Sequence, residues 1–400
     1  MNAQRSLILA ILLALVAVAA TVSAQIAVSA NDNKVVNVNG KVNVVPNPPP
    51  DTVAIIDLKA SPPRVIAEVQ APVSVVGPPL SVAITPDEGL ALVTAAMKVD
   101  PGDPTRTAPD NRMSVIDLKA SPPKVIATLE IGKRPSGVSI NRQGTLALVS
   151  NRADGTVSVL TIQGKTVTLA GTVEVGGPKA GGGHIAITPD GKTALVTRSA
   201  DNRISVLSIE GTKLEHTKRD MIAGVQPTAL DIVPNGAFAV VGNFGGQVTG
   251  DNDTISLIDL KAKPPRVVDT ITVGQSPEGV KVSPDGSVVA VVLVNGSNRP
   301  KESPFFNPGG KLVLFRVTGT SLSKVAEASI GHWPQGAGFS ADGKTILVGN
   351  MIEKDYWVFQ WDGKTLRDTG QRVKMNGGPA AIRTADKEGS REKALNVRTA

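Results

Sequence analysis

Apolar positions along the chain fall into short runs punctuated by turn residues. One unit reads Thr254-Ile-Ser-Leu-Ile-Asp-Leu260, then a polar turn through Pro264-Pro265 and a second run from Val267 to Val273. Gly274, Pro277 and Gly279 follow, then a short apolar run to Val282, the turn Ser283-Pro284-Asp285-Gly286 and another run from Val288. Alternating or continuous β-branched runs of this length are strand signals. In Pro-Asp-Gly, proline presets φ, Asp supplies an Asx hydrogen bond and Gly accepts a positive φ, so the segment makes a tight reversal. Strands joined by such a turn are antiparallel neighbours.

The unit recurs. Turns of the Pro-Asp-Gly kind centre on Asp87, Gln143, Asp190, Asn235, Asp285, Asp342 and Asp386, spaced by 56, 47, 45, 50, 57 and 44 residues, about one four-stranded blade plus loops. A second hairpin starts near Thr52, Met113, Thr156, Arg203, Thr254, Lys311 and Tyr356. These repeats predict an all-β, seven-bladed β-propeller of four-stranded antiparallel blades over residues 51–400. The order begins with an outer hairpin, Thr52 to Val69, and ends with an inner one, Gly378 to about Val397. Together they are expected to form the seventh blade and close the ring, leaving only short, protected edges. Polar residues around Arg391 make the last hairpin the weakest, and Val35–Val38 with Val42–Val45 around Asn39-Gly40 is a rival for its place. Residues 25–50 read as an N-terminal extension that ends in a stiff spacer at Asn47-Pro-Pro-Pro50.

Residues 1–24 carry an export pattern: Arg5, an apolar run from Leu7 to Ala20, and Val22-Ser23-Ala24 as a cleavage site. A periplasmic or secreted protein without a stable membrane span is expected, since the run is shorter than a span needs. No Cys is present, so lipid attachment through Cys, disulfides and thiol chemistry are excluded. Hydrophobic residues are 41% of the chain but aromatics only 3%, so the core is built from β-branched and small side chains, which favour sheets. The net charge of +7 is scattered, and few aromatics are available to stack on bases. A solvated basic surface is the better reading, with nucleic acid left open only by the basic pI.

The units resemble the YVTN-repeat β-propellers, which include surface-layer-type repeats and the lactonase-like seven-bladed group; related propellers form the heavy subunit of quinoprotein amine dehydrogenases. The likeness spans nearly all of the chain after the leader and is strongest from Asp253 to Val292, with its Ile-Asp strand, Val-Gly-x-x-Pro-x-Gly and Pro-Asp-Gly. Leu148-Val-Ser-Asn151, Val240-Val-Gly-Asn243 and Leu347-Val-Gly-Asn350 lack the tyrosine of the family tetrapeptide, and the WD and kelch signatures are absent. The resemblance specifies fold better than function, because one fold hosts many activities.

In such a ring the a–b and c–d turns share one face, and the d–a and b–c loops share the other. Three b–c loops are long: Ala96 to Arg112, Phe244 to Asp253 and Asn295 to Gly310. Function is expected there. His184, Glu278 and His332 are the candidate catalytic residues near that mouth, and Arg134, Arg152, Arg198, Asn243, Trp333 and Gln335 are candidate ligand contacts. Along the inner strands a column of small residues, Ala83, Ser139, Ala186 and Gly338, is broken by Asp231 and Lys281 in adjacent blades, which predicts a buried structural ion pair. No metal or cofactor is expected: Asp251-Asn252-Asp253 lacks the rest of a calcium loop, Gly181-Gly-Gly183 precedes a strand, and there is no Gly-x-Ser-x-Gly elbow. A monomeric binding or scaffold protein is expected, taking a protein, small molecule or polymer on the loop face. The family resemblance offers a lactonase-like hydrolase or an amine dehydrogenase-like redox subunit as alternatives.

Overall fold

Ser or Thr before the Pro-Asp-Gly segments completes each reversal. In the computed structural model Thr85, Thr188 and Ser283 each donate a hydroxyl hydrogen bond of 2.6 Å to the Asp two residues on. The same oxygens accept the amides of Leu90, Thr193 and Val288, five residues on, which pins the next strand. The structure describes residues 25–386 apart from 78, 248, 249 and 251; the leader and the segment after Asp386 lie outside it.

The strands assemble into seven four-stranded antiparallel blades in a ring, each running from an innermost strand a to an outermost strand d. Blade 1 is Val82–Ile84, Leu90–Asp100, Asp103–Asp117 and Lys124–Glu130. Blades 2 and 3 are Pro135–Ile140, Leu146–Asn151, Thr156–Gln163 and Thr166–Glu174, then Gly182–Ile187, Thr193–Arg198, Arg203–Glu210 and Lys213–His216. Blades 4 and 5 are Pro227–Ile232, Phe238–Asn243, Asp253–Asp259 and Arg266–Gly274, then Pro277–Val282, Val289–Leu293, Gly310–Thr318 and Ser321–Ile330. Blade 6 is Pro334–Phe339, Thr345–Asn350, Asp355–Trp361 and Leu366–Lys374.

The burial of the strands explains their composition. Strand b of blades 2 and 5 is buried along its whole length, and that of blade 6 in all but its first residue, so it reads as a continuous apolar run such as Leu146-Ala-Leu-Val149 or Val289-Ala-Val-Val-Leu293. Strand d is at the rim, and Lys124–Glu130 alternates exposed and half-buried positions. Small, branched side chains fill the space between blades, mostly Ile, Val, Leu and Ala.

Blade 7 closes the ring, with head and tail in one sheet, but not as two hairpins. Its order from the axis is Gly378–Thr384, Ile26–Asp32, Thr52–Asp57 and Arg64–Gln70. The tail supplies one strand, and Ile26–Asp32, read from sequence as part of the extension, takes the second position. Its seven residues are buried throughout and pair with Gly378–Thr384 on one side and Thr52–Asp57 on the other. That site demands apolar side chains, which Ile26-Ala-Val-Ser-Ala30 has and the polar stretch around Arg391 lacks. Tyr356, the chain's single tyrosine, latches the closure from blade 6: its hydroxyl lies 2.8 Å from Ser29 Oγ and donates to Ala381 O.

The rival hairpin completes no blade. Val35–Val38 and Lys41–Val44 form a separate two-stranded sheet in the connection between strands b and c of blade 7. It reaches the blade 5 loop, where Asn37 Nδ2 donates to Asn298 O at 2.8 Å. Blade 1's expected long loop is instead largely a hairpin arm, Leu90–Asp100 against Asp103–Asp117.

Candidate functional site

The inner strands of blades 2 to 7 each begin at a Pro or Gly, and the inner strands present their side chains in layers around the axis. The second positions include Ser136, Thr228, Glu278 and Gln335; the third are small, as in Gly137, Ala229, Gly279 and Gly336, except for His184 in blade 3. The fifth positions are the column Ala83, Ser139, Ala186, Asp231, Lys281 and Gly338. Strand pairing adds Arg383 from blade 7: Val28 sits between Arg383 and Ile55 as Val240 sits between Asp231 and Leu257. Counting back from Asp386 points to Ile382 instead, because the tail makes no a–b turn within the described residues.

This layer holds the charge. Lys281 Nζ lies 3.0 Å from Asp231 Oδ2, with side chains 8% and 14% exposed, and 3.3 Å from Asp386 Oδ1, whose side chain is 71% exposed. Burial pushes the Asp231 carboxyl up, but Lys281 and then Arg383 pull it further down, so it ends below the usual range. Burial lowers Lys281, while Asp231 and Asp386 raise it more. A cavity of about 330 Å³ surrounds these groups, lined by Arg142, His184, Asp231, Lys281, Arg383 and Asp386, and ringed by Pro86, Pro189, Pro234 and Pro284 of the a–b turns. It therefore opens on the short-turn face, opposite the face where the sequence puts function.

Of the residues expected at the loop-face mouth, Arg152 comes within electrostatic reach of Glu278 and Arg134, and the rest stand apart. His184 is buried in the channel, with Nδ1 3.4 Å from Leu230 N and Nε2 3.3 Å from Arg383 Nη2. His332 is held at the other face by Glu353, 2.6 Å from its Nδ1, and the same carboxylate accepts the His332 amide. Glu278 stands near Arg152; burial pushes its carboxyl up to about 8 against the pull of that guanidinium. Arg134 and Arg152 are within each other's electrostatic reach, and both are lowered chiefly by burial. Arg198 faces away, paired with Asp201 and Asp220. Asn243 Nδ2 donates to the hydroxyls of Thr254 and Ser256, as Asn151 Nδ2 does to Thr156 and Ser158, while the Oδ1 of each is buried without a partner. The Trp333 amide donates to Ser297 Oγ, and Gln335 Oε1 is buried without a partner. Among the described residues, no group of three or more His, Asp or Glu is placed to hold a metal.

The loop face differs in character. Of nine large hydrophobic side chains exposed among the described residues, Val38, Val42, Ile222, Val225 and Ile352 lie in b–c or d–a connections. The other four, Val65, Ile66, Ile126 and Leu169, lie on outer strands, and none lies in an a–b turn. A groove of about 340 Å³ runs on this face between Pro48–Pro50 and Met97–Val99, with Lys34, Lys98 and Arg112 along it.

Solved structures share the architecture. A candidate 6-phosphogluconolactonase from Bacteroides uniformis matches with a TM-score of 0.67 at 17% identity, over 90% of this chain and 100% of its own. The periplasmic gluconolactonase of Pseudomonas aeruginosa matches at 0.62 and 16%, over 90% and 99%. The Kuenenia stuttgartiensis hydrazine synthase matches at 0.59 and 19%, over 78% and 91%. By fold the chain is a seven-bladed β-propeller with structural neighbours of the 6-phosphogluconolactonase type. At these identities the likeness shows fold alone. No family model matches the chain, and no curated protein does.

Arg383, Arg142 and the cavity itself escaped the sequence reading. Arg383 was within reach of it: with the proline of each inner strand as ruler, Pro379 places Arg383 level with Lys281 after Pro277 and Asp231 after Pro227.

Proposed function

We propose that the protein is an exported, non-enzymatic binding propeller that docks a protein partner on the face formed by its b–c and d–a connections. The observation that carries this reading is the placing of exposed Val and Ile side chains in those connections and in none of the a–b turns. Exposed apolar groups on loops held by a rigid scaffold mark interaction surfaces. The Val35–Val44 hairpin adds to this: its strands pair only with each other among the described residues, and Val38 and Val42 are 53% and 57% exposed. A free strand edge of this kind suits the addition of a partner strand. The leader-like residues 1–24 support export.

The test is affinity capture from the exporting cell's envelope extract with wild type and with Val38→Asp/Val42→Asp. A partner held by wild type and lost by the variant, at unchanged melting temperature, supports the reading. Capture of nothing, together with turnover on a lactone or ester, sinks it.

A hydrolase is the second reading, favoured by a histidine inside a channel cavity and by neighbours named for gluconolactone chemistry. A lactone and ester panel with wild type and His184→Ala decides it, and inactivity of both throughout ends it. A redox role takes the form of the first reading with a cofactor-bearing partner, and purification with such a partner is its test.

A further inference from the structure

Arg383 is 7% exposed and has no carboxylate within ion-pair distance among the described residues. Among the described residues its side chain has one partner at hydrogen-bond distance, His184 Nε2, across the channel from blade 7 to blade 3. That contact is poorly satisfied. Burial, and then the Arg383 charge, hold the His184 pKa well below the usual histidine range, so the ring is neutral. A neutral imidazole has one accepting nitrogen. The Leu230 amide at Nδ1 and the Arg383 guanidinium at Nε2 can both only donate, so the neutral ring can accept from one of them and not from both. One of these two donors is left without an acceptor. Asp231 feels the Arg383 charge, but a buried guanidinium with no carboxylate at ion-pair distance remains costly unless something supplies one.

The surroundings say what would supply it. The cavity lining holds three cations, Arg142, Lys281 and Arg383, and two carboxylates, Asp231 and Asp386. Both carboxylates are spent on Lys281, and Arg142 donates to a carbonyl, Pro234 O, at 2.8 Å. Beside this charged layer runs an apolar wall: Ile84, Ile140, Ile187, Ile232 and Val282 at the next position of the inner strands of blades 1 to 5, and the turn prolines beyond, with Thr384 at that position in blade 7. We propose that the channel cavity on the short-turn face binds a small organic carboxylate. The carboxylate lies in the fork of Arg383 beside His184 Nε2, and the apolar body lies along the isoleucine and proline wall. A planar carboxylate matches the guanidinium fork in a bidentate way, and about 330 Å³ suits a compact ligand. Asp386, the exposed carboxylate on Lys281, competes with the ligand for the cationic layer. This site is independent of the loop face.

The test is calorimetric titration and thermal shift of the full chain at low ionic strength with sodium benzoate, sodium hexanoate and inorganic phosphate. One saturable site for benzoate or hexanoate, stronger than for phosphate, is expected. Arg383→Leu should weaken it about tenfold or more, while the melting temperature without ligand holds or rises, since an unpaired buried charge has been removed. Arg383→Lys, which keeps charge and loses the fork, should also weaken binding, and Asp386→Asn should tighten it. No saturable binding of either acid at about 10 mM, equal affinity in wild type and both Arg383 variants, or phosphate binding as tightly as the organic acids would overturn the proposal.

Discussion

Lys281→Met tests whether the charged layer holds the ring in register. The substitution keeps the length of the side chain and removes the charge 3.0 Å from Asp231. Asp231 is left buried with the Val282 amide at 2.9 Å and the charge of Arg383 nearby. Removing one partner of a buried pair costs about 3–5 kcal/mol, and the retained donor puts this case near the lower figure. Unfolding entropy of about 2.1 cal/mol/K per residue gives ~0.8 kcal/mol/K for a ring of this length, so a loss of about 3 kcal/mol lowers Tm by about 4 °C. Scanning calorimetry at pH 7 reads this directly. The pH dependence has a definite sign. Asp231 is depressed in the wild-type fold, so its contribution is present above the unfolded carboxyl pKa and is lost as pH falls through the lower folded value. The gap between wild type and Lys281→Met is therefore full at pH 7. It closes toward acid, first as the variant's carboxyl takes up its proton and then as the wild type's does. Asp231→Leu/Lys281→Met, which removes both charges, should recover most of the loss. An unchanged Tm, or a gap that widens toward acid, would refute a paired, register-setting role.

Other outcomes follow from the same geometry. Tyr356→Phe removes the latch on Ser29 and Ala381 and should cost about 1–2 kcal/mol in denaturant unfolding. Gly279→Ala places a methyl 2.6 Å from Gln335 O and 3.1 Å from Gly336 Cα of the next blade; the backbones must part, and a loss of about 1–3 kcal/mol is expected. Between about pH 4.5 and 8 the folded state keeps the Glu278 proton that the unfolded chain gives up, so wild-type stability declines with rising pH. Glu278→Gln should flatten that decline in melts taken across the range. A chain ending at Asn376 lacks the innermost strand of blade 7 and leaves Ile26–Asp32 as a bare apolar edge; size-exclusion chromatography should show aggregation rather than a monomer.

Repetition made the ring legible before any coordinates. The turn signals of blades 1 to 6 and the seven outer hairpins determine the strand order of those six blades, the blade number and the sharing of one blade by head and tail, because Pro, Asp and Gly act locally and a reversal needs no distant partner. The Asp231–Lys281 juxtaposition was legible for a related reason: a repeat supplies its own alignment, and two charges in a column of small residues stand out. Which strand takes the second place in blade 7 was not legible. Ile26–Asp32 and the stretch around Arg391 compete for one slot, and only burial on both faces selects the apolar one. The cavity was not legible either. Its guanidinium and its imidazole come from blades 7 and 3, 199 residues apart in the chain, and no local pattern records which side chains meet across an axis. Sequence determines what each blade is, because strands and turns answer to their own residues; the tertiary structure alone decides what the blades enclose, because closure brings unrelated positions within a few ångströms.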